Sequence, residues 1–203
     1  MENREMSLNE MIAVSNEISK KNGFWDDNLQ PKYYMATKLA LILTEVDEAR
    51  EILENDILLR GDGEFDGEFD VQGFGEELAD VLIRLFDLIG QYHLDVPDRV
   101  AKVLGLDTGG LYLGQIQNLV RGDPYENFSE VCLDTWLMDI VSPIAKCVQA
   151  LRKEEDSVLI ENMAQIVIRI CLIAGGVGVN MQDLVEQKIE KNRSRPYKHG
   201  RSF

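Results

Sequence analysis

The stretch ELADVLIRLFDLI, residues 77–89, decides the fold class of this chain. Its apolar residues recur at spacings of three and four, which is the period of an amphipathic α-helix. The same spacing recurs in most long segments of the chain, and only 5 of its 203 residues are proline, the residue that breaks helices. We therefore expect an all-α helical bundle.

Capping residues, glycine stops and apolar spacing predict eight helices. Ser7 and Glu10 form a capping box that opens the first helix, and Gly23 ends it. Pro31 lies in the first turn of the second helix, where proline is tolerated. The predicted ranges are 7–22, 31–60, 75–91, 97–104, 110–120, 129–152, 157–174 and 180–192. We expect them to form one domain, 1–203, that ends in an irregular basic tail, 193–203.

Two parts of the chain resemble each other. The stretch LADVLIRLFDLIGQYHLDVPD (78–98) aligns with MAQIVIRICLIAGGVGVNMQD (163–183) at a constant offset of 85 residues. The preceding helices align less closely, with ILTEVDEAREI (42–52) over IVSPIAKCVQA (140–150). We interpret this as an internal duplication, with repeat 1 at about 25–105 and repeat 2 at about 129–192.

Charge and composition exclude several classes of protein. The chain has 21 Lys and Arg against 36 Asp and Glu, a formal net charge of −15, which repels nucleic-acid polymers. No apolar run approaches the ~20 residues of a membrane span, and MENREMSLNE lacks the apolar core of a signal peptide. Cys132, Cys147 and Cys171 form no CxxC pair, as in reduced cytosolic proteins. We expect no nucleic-acid or membrane partner and a cytoplasmic location.

Four acidic residues are candidate metal ligands. Glu45 and Glu48 form an ExxE motif in an apolar stripe of the second helix, and Glu77 and Asp80 form an ExxD motif in the third. Carboxylates that face a core cost several kcal/mol unless they are neutralised. If the two helices pack antiparallel, the four carboxylates converge, and a hard divalent cation with oxygen ligands would resolve their repulsion.

The second repeat carries a different set of polar residues. Asn162 and Gln165 lie opposite the two acids of the ExxD motif, and Pro143 and Lys146 lie opposite those of the ExxE motif. This copy has therefore lost all four acids. Its end instead carries Lys188, Asn192 and Arg195. This division suits a site that binds Mg²⁺ with one repeat and phosphate oxygens with the other.

Three motifs in order along the chain resemble those of the MazG-like all-α nucleoside triphosphate pyrophosphohydrolases. They are the connector GFWDD (23–27), the ExxE and ExxD pair with residues 49–76 between them, and the ending KIEKNRSRPYKHG (188–200). The resemblance covers residues 20–95 and 160–203. It implies cleavage of a (deoxy)nucleoside triphosphate to the monophosphate and pyrophosphate with Mg²⁺, for which Mn²⁺ can substitute.

The resemblance also implies a role for each motif residue. The metal ligands would be Glu45, Glu48, Glu77 and Asp80, one of which also positions or deprotonates the attacking water. The phosphate-binding residues would be Lys188, Asn192, Arg195 and Tyr197. Phe24 or Trp25 would stack on the base. Because members of the family commonly form dimers or tetramers, we expect a homo-oligomer, with a dimer favoured.

Three other interpretations stay open at the level of sequence. The nearest is a dUTP-specific enzyme of the dimeric dUTPase type, which belongs to the same superfamily. Another is a non-catalytic helical protein that binds nucleotides or regulates a partner. The last is an acidic structural bundle, which predicts no binding of a divalent cation.

Overall fold

The computed structural model describes residues 4–25, 31–60, 70–120 and 130–197, with side chains described in these ranges except at 31–32, 55–60, 109 and 130–134. These ranges form eight α-helices, one 3₁₀ turn and no strand, which confirms the expected all-α bundle. The helices are α1 Leu8–Lys21, α2 Pro31–Arg60, α3 Val71–Tyr92, α4 Val96–Leu104, α5 Leu113–Val120, α6 Glu130–Lys153, α7 Asp156–Val177 and α8 Met181–Arg193.

Helix ends follow the local capping chemistry. The capping box of α1 forms: the Glu10 carboxylate accepts from the Ser7 backbone N–H at 2.8 Å, and Ser7 Oγ accepts from the Glu10 N–H at 3.3 Å. Helix α3 begins four residues before the predicted start, because the Asp70 carboxylate caps it. Helix α5 begins later than predicted, because Thr108–Gly110 form a 3₁₀ turn. Helix α7 runs to Val177, past the predicted end, and stops at Gly178.

Helices α3 and α7 form the centre of the bundle. Helix α3 packs against α1, α2, α7 and α8, while α7 packs against α3, α4, α5 and α6. Their apolar residues are buried on most of the helix surface, as expected for helices with neighbours on several sides. The site described below lies where α1, α2 and α8 surround α3.

Helix α7 is also long and apolar enough to cross a membrane, by length and composition alone. Most of this helix is buried inside the bundle, and a central core helix passes the same test. The expected cytoplasmic location and the expected lack of a membrane partner therefore stay predictions.

The helix bounds agree in register with the sequence repeat. Helices α3 and α7 are both 22 residues long and start at residues 71 and 156, and α4 and α8 start at 96 and 181; each difference is 85. Arg84 of α3 forms an ion pair with Glu45. Arg169, 85 residues later in α7, forms an ion pair with Asp139 at 3.3 Å. Asp139 follows Glu45 by 94 residues, one helical turn short of the register that the sequence suggested for α2 and α6. The internal duplication stays a prediction.

The two core cysteines, Cys147 and Cys171, carry unreactive thiols. Cys147 and Cys171 are buried and unpaired, and burial raises the pKa of each thiol to about 12. Both thiols are therefore protonated at neutral pH and unreactive. The Cys132 side chain lies outside the described residues.

Helices α1 and α3 approach closely at Gly90. A Cβ added at Gly90 would lie 2.8 Å from the Cβ of Asn16 and 3.1 Å from the carbonyl oxygen of Ile12. The second of these contacts is to helix backbone, so a change of rotamer cannot relieve it. The close approach also brings Asn16 within hydrogen-bond distance of α3, at Asp87.

We expect Gly90→Ala to lower the free energy of unfolding by about 1–3 kcal/mol, because overpacking outweighs the better helix propensity of alanine. Urea unfolding followed by circular dichroism measures the change. Gly114→Ala is the matched control, since its Cβ would lie 4.0 Å from the nearest atom, the Cβ of Gln182. The control should match or exceed the wild type in stability. Equal stability of the two variants would contradict the close approach.

Candidate functional site

Three carboxylates meet between α2 and α3. One oxygen each from Glu45, Glu48 and Glu77 lies within 4.8 Å of the other two. The two helices run antiparallel here, since Lys38 of α2 contacts Asp87 of α3 while Glu48, further along α2, meets Glu77, at an earlier position in α3. The structure therefore brings together three of the four acids that the sequence singles out.

The three acids differ in burial. Glu45 is only 4% exposed, Glu77 is half-buried and Glu48 is exposed. The sequence stripe places both glutamates of the ExxE motif inward, and this expectation is wrong for Glu48. Residues three apart differ by about 60° around a helix, and this rotation carries Glu48 to the edge of the interface.

Burial and the repulsion of neighbouring carboxylates raise the pKa of two of these acids, Glu45 and Glu77. Burial raises the pKa of Glu45, although the guanidinium of Arg84, its ion-pair partner, opposes the effect. Burial, with added repulsion from Asp80, raises the pKa of Glu77 to about 7, and Lys188 opposes this shift only in part. Excess negative charge at the cluster is the physical condition that favours binding of a cation.

Asp80, the fourth expected ligand, is not part of the close group. It accepts a hydrogen bond from Lys188 Nζ at 2.7 Å, and the same ammonium lies 3.4 Å from Glu76. Burial would lower the pKa of Lys188, but Asp80 and Glu76 outweigh it and leave the pKa raised. The lysine that the resemblance assigns to phosphate therefore neutralises acids of its own chain in this structure.

The donor set fits a hard divalent cation. Three carboxylate oxygens lie within reach of one ion, and Asp80 lies three residues beyond Glu77 on the same face of α3. Oxygen-only donor sets suit Mg²⁺, Mn²⁺ and Ca²⁺, and disfavour softer ions that prefer sulfur or imidazole.

A cavity of about 340 Å³ opens beside the acids, between α1, α2, α3 and the end of α8. Glu45 and Asp80 line it, as do Asn192 and Arg195 from the end of the chain. Tyr197 does not line it: its ring packs on Gly23, where a Cβ would overlap the ring, and the side chain is 58% exposed. Asn192 and Arg195, two of the four expected phosphate-binding residues, therefore line the cavity. Lys188 contacts Asp80, which also lines it.

Only one of the two aromatic residues expected at the base lines this cavity. Phe24 is in the wall. Trp25 instead stacks on Tyr34 with ring centroids 4.8 Å apart, and its Nε1 donates to Asp87 at 2.7 Å. Lys38 Nζ lies 4.4 Å from the centroid of the same indole ring, which gives a cation–π contact. Trp25 therefore contacts Asp87 and Lys38, which both line the cavity.

Asp87 is the residue that sequence reasoning missed. Its side chain is nearly buried, at 9% exposure. Its Oδ1 accepts from Trp25 Nε1 at 2.7 Å and from Asn16 Nδ2 at 3.0 Å, and its Oδ2 accepts from Ser19 Oγ at 2.8 Å and from Lys38 Nζ at 3.3 Å. A carboxylate has about four lone-pair positions, so these four donors saturate it. Asp87 thus ties α1, α2 and the connector to α3.

The sequence contained a signal for Asp87 and for the charged residues near it, Arg84 and Lys38. Asp80, Arg84 and Asp87 follow one another at spacings of four and three within an apolar run, the same stripe that singled out the ExxE glutamates. Lys38 precedes Glu45 by seven residues and shares its face of α2. Charged residues at helical spacing in an apolar run therefore indicate candidate site residues throughout α2 and α3, and not only in the ExxE motif.

Comparisons of this chain with protein-family models, with curated proteins and with solved structures found no match. The resemblance to MazG-like proteins therefore rests on the sequence motifs. The chemical interpretation of the site rests on the geometry given above.

Asp87→Ala should lower the free energy of unfolding by about 3–5 kcal/mol, because it leaves the Lys38 ammonium buried without its carboxylate. The Lys38 side chain is only 14% exposed. Asp139→Ala is the control: it breaks the more exposed pair with Arg169, which should cost at most about 1 kcal/mol. Chemical denaturation measures both, and equal losses would contradict the central role of Asp87.

The raised pKa of Glu77 predicts how stability depends on pH. The carboxyl titrates near 4.5 in the unfolded chain and at about 7 in the folded one. Between these values the folded protein holds a proton that the unfolded chain releases, so the contribution of Glu77 to stability falls as the pH rises.

Glu77→Gln should remove this part of the pH dependence, because the amide does not titrate. Denaturation of the metal-free protein at several pH values from about 4.5 to about 7 measures the slope. Glu51→Gln, at an exposed position of α2, is the control and should keep the slope of the wild type. An unchanged slope in Glu77→Gln would contradict the raised pKa.

Proposed function

We propose that this chain is a MazG-like, Mg²⁺-dependent nucleoside triphosphate pyrophosphohydrolase. It cleaves a (deoxy)nucleoside triphosphate between the α and β phosphates and releases the monophosphate and pyrophosphate. The observation that carries this proposal is the close approach of Glu45, Glu48 and Glu77 beside a cavity of about 340 Å³. That volume is near the lower end of the range for small-molecule sites, about 300–1,000 Å³.

Each acid has a distinct part in this proposal. Glu45, Glu48 and Glu77 would hold Mg²⁺, which would polarise phosphoryl oxygens and lower the pKa of water. Glu48 is the exposed member of the cluster, so it is placed to orient the attacking water from the solvent side. Asp80, which accepts a hydrogen bond from Lys188, would be the fourth ligand.

Basic residues at the end of the chain supply the charge that the phosphates need. Arg195 lines the cavity, and its side chain forms no ion pair within the described ranges. A guanidinium donates in a planar fork that matches phosphate oxygens. Lys188 lies 2.7 Å from Asp80, and its ammonium would be available to a phosphate if a cation neutralised that acid. These local charges offset the net charge of −15, which would otherwise repel the substrate.

The other interpretations have less support. Within the described residues no contact singles out uracil, so the dUTP-specific interpretation gains nothing from the site. A non-catalytic protein that binds no cation would gain nothing from three acids held this close at a cost in repulsion. The homodimer, like the cytoplasmic location, stays a prediction.

The test is a Mg²⁺-dependent release assay over canonical and modified nucleoside triphosphates, with pyrophosphate and orthophosphate measured separately. We expect pyrophosphate and monophosphate in equal amounts, and no release when the metal is chelated. Orthophosphate as the first product, or no cleavage across the panel, would contradict the proposal.

Two variants test the acids themselves. Glu48→Gln and Asp80→Asn should each lower turnover by about 100-fold or more, the loss typical when one group that stabilises transition-state charge is removed. Glu48→Gln should keep the thermal stability of the wild type, because the exposed amide adds no repulsion to the cluster. Asp80→Asn should lower the stability, because Lys188, whose side chain is 9% exposed, loses its carboxylate partner. Glu51→Gln, three residues beyond Glu48 and exposed, should keep full turnover. Full turnover in either test variant would refute the assignment.

A further inference from the structure

The cavity beside the acids contains two polar groups that lack a hydrogen-bond partner. Ser15 Oγ and Asn192 Oδ1 are both buried and unpaired, and both residues line the cavity. Ser15 as a whole is only 4% exposed. A buried polar atom without a partner costs about 1–3 kcal/mol, and a ligand that supplies the partner removes this cost.

The helix register places Ser15 at the end of the cavity remote from the acids. Asp80 and Asp87 lie seven residues apart on α3, or about 10 Å along one face. Ser19 donates to Asp87, and α1 runs antiparallel to α3, since Asn16 reaches both Asp87 and Gln91. Ser15, one turn before Ser19, therefore lies beyond Asp87.

The remote end is built for an uncharged group. The charges there are already paired, because Lys38 binds Asp87 at 3.3 Å and Asp87 accepts from three further donors. The cavity is also lined by the apolar side chains of Ile18, Phe24, Leu41 and Ile83, of which Leu41 and Ile83 lie in register between its two ends. Apolar faces with one unpaired hydroxyl suit a flat heterocycle with a polar edge, and not a further phosphate.

Asn192 lies between the two ends. It follows Lys188 by one turn of α8, and Lys188 donates to Asp80 at the acidic end. Its backbone carbonyl accepts from Asn22 of α1 at 3.4 Å, which holds α8 against α1. The amide of Asn192 therefore lies between the acidic end of the cavity and the end at Ser15.

We propose that this cavity is the nucleoside subsite, in which the Ser15 hydroxyl hydrogen-bonds the polar edge of the base. The Asn192 amide hydrogen-bonds the sugar, in place of the phosphate role that the resemblance implies. The inference rests on the proposed function, because the phosphates define which end of the cavity the base occupies. Phe24 supplies one aromatic wall. Asp87 is a positioning residue that fixes Ser19, Trp25 and Lys38 around the subsite.

The test uses Ser15→Leu, which fills the remote end, and Ser15→Ala, which removes only the hydroxyl. The affinity for unphosphorylated deoxynucleosides, measured by calorimetry without metal, should fall at least about 10-fold in Ser15→Leu and roughly 2- to 10-fold in Ser15→Ala. Binding of inorganic tripolyphosphate with Mg²⁺ should not change in either variant. Ser142→Leu and Ser142→Ala, at an exposed position of α6, are the matched controls.

The kinetic readout separates this inference from the proposed function. In Ser15→Ala the KM for the best triphosphate should rise with little change in kcat. If the wild type cleaves triphosphates and Ser15→Ala binds nucleosides as tightly as the wild type, the subsite is wrong and the function stands. If nucleosides bind through Ser15 but no triphosphate is cleaved, the function is wrong. Should Ser15→Leu fail to fold, Ser15→Ala decides alone.

Discussion

Two ion pairs hold α2 against α3, and the rest of the site depends on them. Lys38 pairs with Asp87 at 3.3 Å, and Glu45 pairs with Arg84 nearer the acidic cluster. Asp87 and Glu45 are both almost fully buried, and a buried charge is tolerated only with a partner. The pairs flank the cavity, so the same contacts that bury the charges also set the space for a ligand.

The fold was largely predictable from the sequence, and the site only in part. The apolar period located all eight helices, because a helix in a bundle marks its buried face at a local spacing. The ExxE and ExxD acids stood out for the same reason. The contacts of Lys188 with Asp80 and of Trp25 with Asp87 left no such mark, because they join segments 108 and 62 residues apart. Side chains that meet only after folding have no characteristic spacing.

The chain supplies its own cations to a site that is too acidic to stand alone. Arg84 meets Glu45, and Lys188 meets Asp80 and Glu76, all at or beside the acidic cluster. These contacts lower the repulsion that would otherwise push α2 and α3 apart. A metal ion that binds the cluster would therefore take over a neutralising role that Arg84 and Lys188 already fill in part.

The contact between Lys188 and Asp80 also has a consequence for the order of folding. Helices α1, α2 and α3 are consecutive and can assemble through nearby contacts, whereas α8 must close a loop of more than a hundred residues to reach α3. Contacts between distant segments form slowly. A chain emerging from the ribosome would therefore bring Asp80 and Glu76 into place before Lys188 reaches them. It would pass through a stage in which these two acids lack their lysine partner.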